Sequence, residues 1–486
     1  MKGDFTRDTF DKAKHFSRVL QQQGRVQLDA DTNEQTAILL HYIRTLAADL
    51  IGPFAGPAGA GLGFSISLLD DSINKDNPDF LISQGRYYVD GILCEKDEDK
   101  LNYQAQECYP NPPVTKLSEG DAYLIYLDVW ERHISSIDDD SIREKALGGP
   151  DTASRAKIIS QVKLQSPVDK ILFPVKKGND LELKDWKELV EIWQPSSSGC
   201  LKVQVKPSEI PNSPCAAAPD TKYRGPENQL YRVEIHNSGN AGEATFKWSR
   251  DNGSVATRIV DGTFAGTTCK VESSKGFESG IWVELSNEER ELRGEPGALV
   301  KLVKVENDVF TLESATGWLS NSGGKEKTSP TKVRRWDQTL NSAGTSKIPD
   351  GAVVITESSD STNGWINLEN EVQIQFQPTA AEYRTGDYWL IPARVETRDI
   401  EWPVIKDNGN VVPISKPPFG IRHHYAPLAL LSKDGAKWKL ISLQTEFPPV
   451  HKVDGEPGLS SLGEEGFGGH LSCKQLEKVN LVVKKA

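Results

Sequence analysis

Gly85-Arg86-Tyr87-Tyr88-Val89-Asp90-Gly91-Ile92-Leu93-Cys94 sets two short runs of β-prone residues on either side of an Asp-Gly pair. Asp-Gly supplies the positive φ angles of a tight hairpin turn, and each flanking run is too short to be a helix. The stretch therefore reads as a β-hairpin, and the same grammar spreads outward from it. Gly63 to Leu68 alternates apolar and polar, and Ala122-Tyr-Leu-Ile-Tyr-Leu-Asp-Val-Trp130 is the nearly continuous apolar run of a central strand. Tyr231 to Ile235 and Ala244 to Ser249 alternate, the latter running into a turn with Asn252-Gly253 at its tip. Trp282 to Leu285, Ala298 to Val303 and Val309 to Leu312 follow at barrel-like spacing. A third set comprises Ala352 to Ile355, Trp365 to Leu368, Val372 to Phe376 and Asp387 to Pro392.

The fold class is thus mainly β, with several sandwich or barrel-like modules, one N-terminal α-helix and more than one domain. At 486 residues the chain exceeds one ordinary core. In chain order it divides into a docking arm and helix (1–55), a first β domain (56–165), a connector rich in Pro, Ser and Lys (166–220), a barrel-like second β domain (221–345), a third β domain (346–445), and a tail (446–486) with a final strand near Val479 to Val483.

The helix opens at Asp29 with acidic residues in its first turn and stops at Gly52-Pro53. Leu39, Ile43, Leu46 and Leu50 follow 4-3-4 spacing, and Tyr42 and Ala47 widen the stripe. Either the helix packs on its own domain or it associates with other copies, since the spacing is that of a heptad seam. Leu50 to Leu69 is about as long as a membrane span, but Pro53, Pro57 and five glycines would break a spanning helix, so it reads as a linker. Ahead of the helix, Gly3 to Phe10 and His15 to Leu28 interleave Phe, Arg and Asp without a long period. That segment reads as a docking arm. The interface residues it nominates are Phe5, Arg7, Phe10, His15, Phe16, Arg18 and Arg25, joined by Leu39, Ile43, Leu46 and Leu50 of the helix.

The formal charge of -12 is spread along the chain, which excludes the concentrated basic face that nucleic acid needs. No apolar leader follows Met1-Lys2-Gly3-Asp4, and six cysteines without CxxC spacing are read as reduced thiols of a cytoplasmic protein. No catalytic, cofactor or metal residue is assigned, because Gly-x-Ser-x-Gly, His-Glu-x-x-His and Gly-x-Gly-x-x-Gly patterns are missing. Carboxylate pairs such as Asp128 with Glu131, or Asp251 with Glu234, have separations the sequence does not set. Ile137-Asp138-Asp139-Asp140 reads as a solvated turn, Gly148-Gly149-Pro150 as a turn, and Arg334-Arg335-Trp336 as an arginine stacked on tryptophan. The neighbours His423 and His424 precede a strand and point to opposite faces, one buried and hydrogen-bonded, one exposed. Most of the eleven tryptophans are expected in cores or subunit contacts.

Gly3-Asp-Phe-Thr-Arg-Asp-Thr-Phe10, Gln22-Gln-Gly-Arg-Val-Gln-Leu-Asp-Ala-Asp31, Tyr126 to Arg132, Ala146 to Thr152, Phe246 to Gly253 and His423-His424-Tyr425 resemble an uncharacterised bacterial domain family. Its members lie beside genes of contractile injection systems and phage-tail-like particles. The resemblance covers most of the chain to about residue 431, and the arm followed by the Gly85 to Gly91 hairpin is similar to the start of tail-fibre and baseplate proteins. Thr32 departs from the pattern, where a tryptophan is expected. The resemblance implies a trimeric structural part held by its N-terminal arm to baseplate, spike or tube proteins, with a cell-surface glycan or receptor as the alternative partner and a wall polysaccharide hydrolase as the third reading.

Overall fold

The computed structural model describes residues 1–59, 61–69, 78–113, 117–118, 122–165, 183–194, 199–206, 222–313, 318, 329–338, 351–360, 363–379, 382–407, 410–434 and 437–447. The elements used below are, in chain order, α1 (Asp29–Ile51), β1 (Ala122–Ile134), β2 (Arg155–Gln165), α2 (Leu183–Trp193), β3 (Gln229–Asn237), β4 (Thr245–Ser249), β5 (Trp282–Ser286), α3 (Glu288–Leu292), β6 (Lys332–Trp336), β7 (Tyr388–Arg394) and β8 (His424–Asp434). The fold is mainly β, with few helices.

The hairpin forms as read: Gly85–Val89 pairs antiparallel with Ile92–Lys96, and Asp90 and Gly91 turn at φ 47° and 76°. Gly91 is needed a second time, because a Cβ there would lie 2.0 Å from the Arg44 carbonyl oxygen. The turn is therefore the seat of α1.

β1 lies inside a four-stranded antiparallel sheet ordered Lys437–Ser442, β8, β1, β2. Its odd-numbered residues Tyr123, Ile125, Leu127 and Val129 enter a core with Phe80 and Tyr87, and its even-numbered Leu124 and Tyr126 meet Trp186 and Leu189 of α2. Both faces are covered, which is why the run is apolar throughout. A second four-stranded sheet, holding the hairpin and Phe54–Pro57, and a three-stranded one complete this first unit. The Gly/Pro-rich stretch expected as a linker thus carries strands Phe54–Pro57 and Ile66–Ser67, with Ala55 and Phe64 buried. Its glycines permit close approach instead of flexibility: a Cβ on Gly63 would sit 2.3 Å from the Gly85 carbonyl carbon.

In the second unit a five-stranded sheet (Val353–Val354, β4, β3, β7, Asp399–Ile400) faces a three-stranded one (Ile366–Asn367, Val372–Gln377, Cys200–Val205) across a core containing Leu201, Val233, Phe246, Phe376 and Trp389. Part of the expected connector is therefore structural, for Cys200–Val205 is a core strand and α2 covers β1. Its residues 166–182, 195–198 and 207–220 lie outside the described residues.

The third unit is a six-stranded sheet ordered Ala256–Arg258, β6, β5, Ala298–Glu306, Val309–Leu312, Thr268–Lys270. Its two edges meet through an Ile259–Val271 bridge, with the Val260 amide donating to the Lys270 carbonyl at 2.8 Å. The sheet thereby curls into the barrel that the strand spacing suggested. Units and chain order part company, for the barrel strands within 256–336 are set in the chain between β4 and Val353–Val354 of the second unit. Val372–Gln377 and β7 serve the second unit, whereas β8 and Lys437–Ser442 return to flank β1. A central strand buried on both faces needs partners on both edges, and sequence distance does not enter that requirement. The expected strand near Val479 to Val483 lies outside the described residues.

Candidate functional site

The first nine residues are bound along their own chain where the three units meet. The Lys2 ammonium lies 2.9 Å from Glu234 of β3. The Asn252 side-chain amide donates to the Gly3 carbonyl at 2.9 Å and to the Met1 carbonyl at 3.3 Å, and Arg232 donates to the same Met1 carbonyl. Further along, Phe5 meets His133 of β1 edge-on, Arg394 donates to the Thr6 carbonyl, and Arg7 pairs with Glu401 at 3.0 Å. The Asp29 carboxylate accepts from the Thr6 amide at 2.9 Å, so the arm also closes on the start of α1.

Beneath Lys2 is a buried ionic knot. Lys247 of β4 bridges Glu284 of β5 at 2.6 Å and Glu234 at 3.3 Å, and Glu234 also accepts from Arg232 at 2.6 Å. Trp336 donates its indole N–H to Glu284 at 2.8 Å, while Lys247 lies 4.4 Å above its ring. Burial alone would raise both glutamates, but the surrounding cations outweigh it and hold them well below the usual carboxylate range. Burial pulls the Lys2 ammonium down in turn. The expected arginine–tryptophan stack is therefore corrected: lysines cover Trp336, and Arg335 instead pairs with Asp251 and Asp337. Cation stacking of arginine does occur at Arg290 over Trp318. A second network joins the first unit to the barrel, with Arg132 bound to Glu288 and Glu291 of α3 and Lys332 bound to Asp138 and Glu291. Asp138 is thus a half-buried partner of Lys332 within the expected turn, whose Asp139 and Asp140 are exposed.

After residue 10 the arm changes character. Phe10 touches His41 of α1, and the Val19 amide donates to Gln35, but His15, Phe16, Arg18 and Arg25 are exposed. On α1 itself only Ala30 and Ile38 are buried. Leu39, Ile43, Leu46 and Leu50 are 51%, 61%, 60% and 77% exposed, and Leu40 and Tyr42 beside them are also exposed. The helix is held to the body at its edge, by Gly91 and by a 2.6 Å pair between Arg44 and Glu131.

Each member of the candidate carboxylate pairs is engaged by a basic side chain. Asp128 binds Lys163 and His423, Glu131 binds Arg44, Asp251 binds Arg335, and Glu234 belongs to the knot. The two histidines diverge: His423 meets Asp128 and His424 meets Asp90 of the hairpin turn, each at 2.7 Å. Eight of the eleven tryptophans are buried, leaving Trp193, Trp282 and Trp365 partly open.

Over most of the chain this arrangement has a family. The model of the family of unknown function DUF6519 matches residues 1–173 and 177–440. The chain belongs to this family. No curated protein and no solved structure matches it. The matched range takes in the arm, the ionic knot, α1 and both histidines. The aromatic and arginine residues of the arm stand out in the sequence, whereas Lys2, Lys247 and Glu284 do not, Glu234 reads there only as half of a carboxylate pair, and Asn252 only as the tip of a turn. A signal was available in Tyr231-Arg-Val-Glu-Ile235, where Arg232 and Glu234 stand two apart and so share one face of a strand.

Proposed function

We propose that this protein is a structural component of a contractile-injection or phage-tail-like particle, acting by assembly and attachment at the baseplate or spike or as a fibre-like appendage. It forms a homotrimer through α1 and the exposed part of the arm, in the cytoplasm where such particles are built. The reading is supported above all by the open stripe Leu39, Ile43, Leu46 and Leu50, which repeats at heptad spacing on a helix otherwise seated only at its edge. Leu40 and Tyr42 widen the exposed apolar face, and the number of copies rests on the resemblance. Burying such a face is worth about 25 cal/mol per Å² removed from water. The type of particle rests on the resemblance of the arm and hairpin motifs. Among the described residues no helix is long and apolar enough to cross a membrane.

Light scattering of the full chain at micromolar concentration tests the assembly. Three times the chain mass is expected, falling to the single-chain mass in an Ile43→Glu, Leu46→Glu double variant. A wild-type chain that stays monomeric across the accessible concentration range overturns the reading, and imaging particles assembled with and without the chain tests its place in them.

A further inference from the structure

Among the described imidazoles on the β units, His423 alone is both rigidly oriented and partly open. His236 is buried and His133 half-buried, each with one enclosed nitrogen unpartnered, and desolvation pulls both pKa values down to about 3. They serve as neutral packing groups. His424 is engaged with Asp90 on the exposed hairpin turn. The His423 ring, by contrast, is 28% exposed and fixed from several directions. Its Nδ1 lies 2.7 Å from the Asp128 carboxylate, its main-chain amide donates to the Gln194 side chain at 2.9 Å, and its face lies 4.7 Å from Trp130.

The carboxylate behind it is fully committed. Asp128 is only 4% exposed, and its second oxygen takes the Lys163 ammonium at 2.6 Å. A carboxylate can only accept, so Nδ1 is the donor to Asp128, and in the neutral ring Nε2 is left as an acceptor. Nε2 has no partner among the described residues. The Lys163 ammonium and the Asp128 carboxylate offset one another beneath the imidazole. Beside the imidazole, the partly open rings of Tyr425 and Trp193 meet edge to face at 5.1 Å, and Trp193 is braced by stacking on Tyr126 at 4.3 Å.

We propose that this patch binds an uncharged saccharide, one hydroxyl of which donates to His423 Nε2 while a C–H face of the sugar ring lies against Trp193 and Tyr425. A sugar combines a hydroxyl donor with an apolar ring face, which is the pairing that an acceptor nitrogen beside braced aromatic rings recognises. Asp128 and Lys163 are positioning residues here, acting through the imidazole. The proposal does not depend on the oligomeric state of the chain.

The test applies the full-length protein to an array of neutral gluco-, galacto-, manno- and N-acetylglucosamine-based oligosaccharides and follows any hit by calorimetric titration. Binding is expected to fall at least tenfold in His423→Gln and in Trp193→Ala and to stay within twofold in His424→Gln, which changes the other face. Thermal melting of each variant shows whether the fold is kept, and Trp193→Ala, at a partly open position, keeps the test valid should the histidine variant be unstable. No retention of any neutral glycan, retention of anionic glycans only, or binding that survives both His423→Gln and Trp193→Ala in folded protein overturns the proposal.

Discussion

Lys2 sets its ammonium 2.9 Å from Glu234 at the junction of three β units, whereas Leu46, on the helix that the same arm leads into, is 60% exposed. The two segments adjoin in sequence and differ in what their own fold satisfies. The arm's carbonyls and charges find Asn252, Arg232, Glu234, Arg394 and Glu401 within the chain. The helix's apolar stripe finds almost nothing. Polar groups need partners at set distances and angles, so a single fold that provides them leaves little for another molecule. An apolar face asks only to be removed from water, and any complementary surface will do. The place to look for a partner is therefore the helix and the open part of the arm, and residues 1–9 are the clasp that holds their base in position.

The largest effect should come from breaking the knot under the clasp. Glu234→Ala leaves Lys2, Arg232 and Lys247 short of a counter-charge in a buried place, and a loss of about 3–5 kcal/mol in denaturant unfolding is expected. A loss below about 1 kcal/mol would mean that the clasp is dispensable. Acid should act next. His133 and His236 titrate at about 3 in the folded chain and near 6.5 when unfolded, so stability is intact above about pH 6.5 and is lost as pH falls towards 3. The depressed carboxylates of Glu234, Glu284 and Asp138 add a loss of the same sign below about pH 4.5. Each histidine contributes about 1.4 kcal/mol per pH unit within its window, and His236→Gln should flatten the slope in a melting series from pH 7 to 4.

A smaller loss is expected at the helix seat. Gly91→Ala places a side chain at φ 76° and against the Arg44 carbonyl, costing about 1–2 kcal/mol for the backbone conformation before the clash is counted. Hydrogen exchange should then show α1 opening ahead of the hairpin. The smallest stability change belongs to Leu46→Glu, within about 0.5 kcal/mol for an exposed site, although the particle mass should drop. Should Leu46→Glu instead unfold the monomer, the stripe would be a core face and the contrast with the arm would fail.

Much of the scaffold was legible in local pattern. Asp90-Gly91 announced its turn because few residue types accept those φ angles, and β1 announced itself because a strand covered on both faces must be apolar along its length. The barrel's strands were visible from their spacing, but not its closure, which depends on Ile259 meeting Val271. The candidate sites were less legible. Asp128 and His423 stand 295 positions apart, and nothing in either local stretch names the other. Lys2 looked like a terminal charge until β3 and β5 supplied Glu234 and Glu284 around it. Asn252 is a similar case: its turn was readable, yet the buried amide that holds the arm was not.

Turn chemistry and the period of apolar residues act over a few positions, and for this reason the sequence alone determined a mainly β chain with one amphipathic helix, its hairpin, its central strand and the heptad spacing of the helix face. Which strand lies beside which depends on the sum of burial and hydrogen bonding over the whole chain. That sum returned β8 to the edge of β1, drew residues 1–9 into the three-way joint, left the stripe on α1 open, and set His423 against Asp128. Only the tertiary structure could decide these, because each pairs groups that the chain itself keeps far apart.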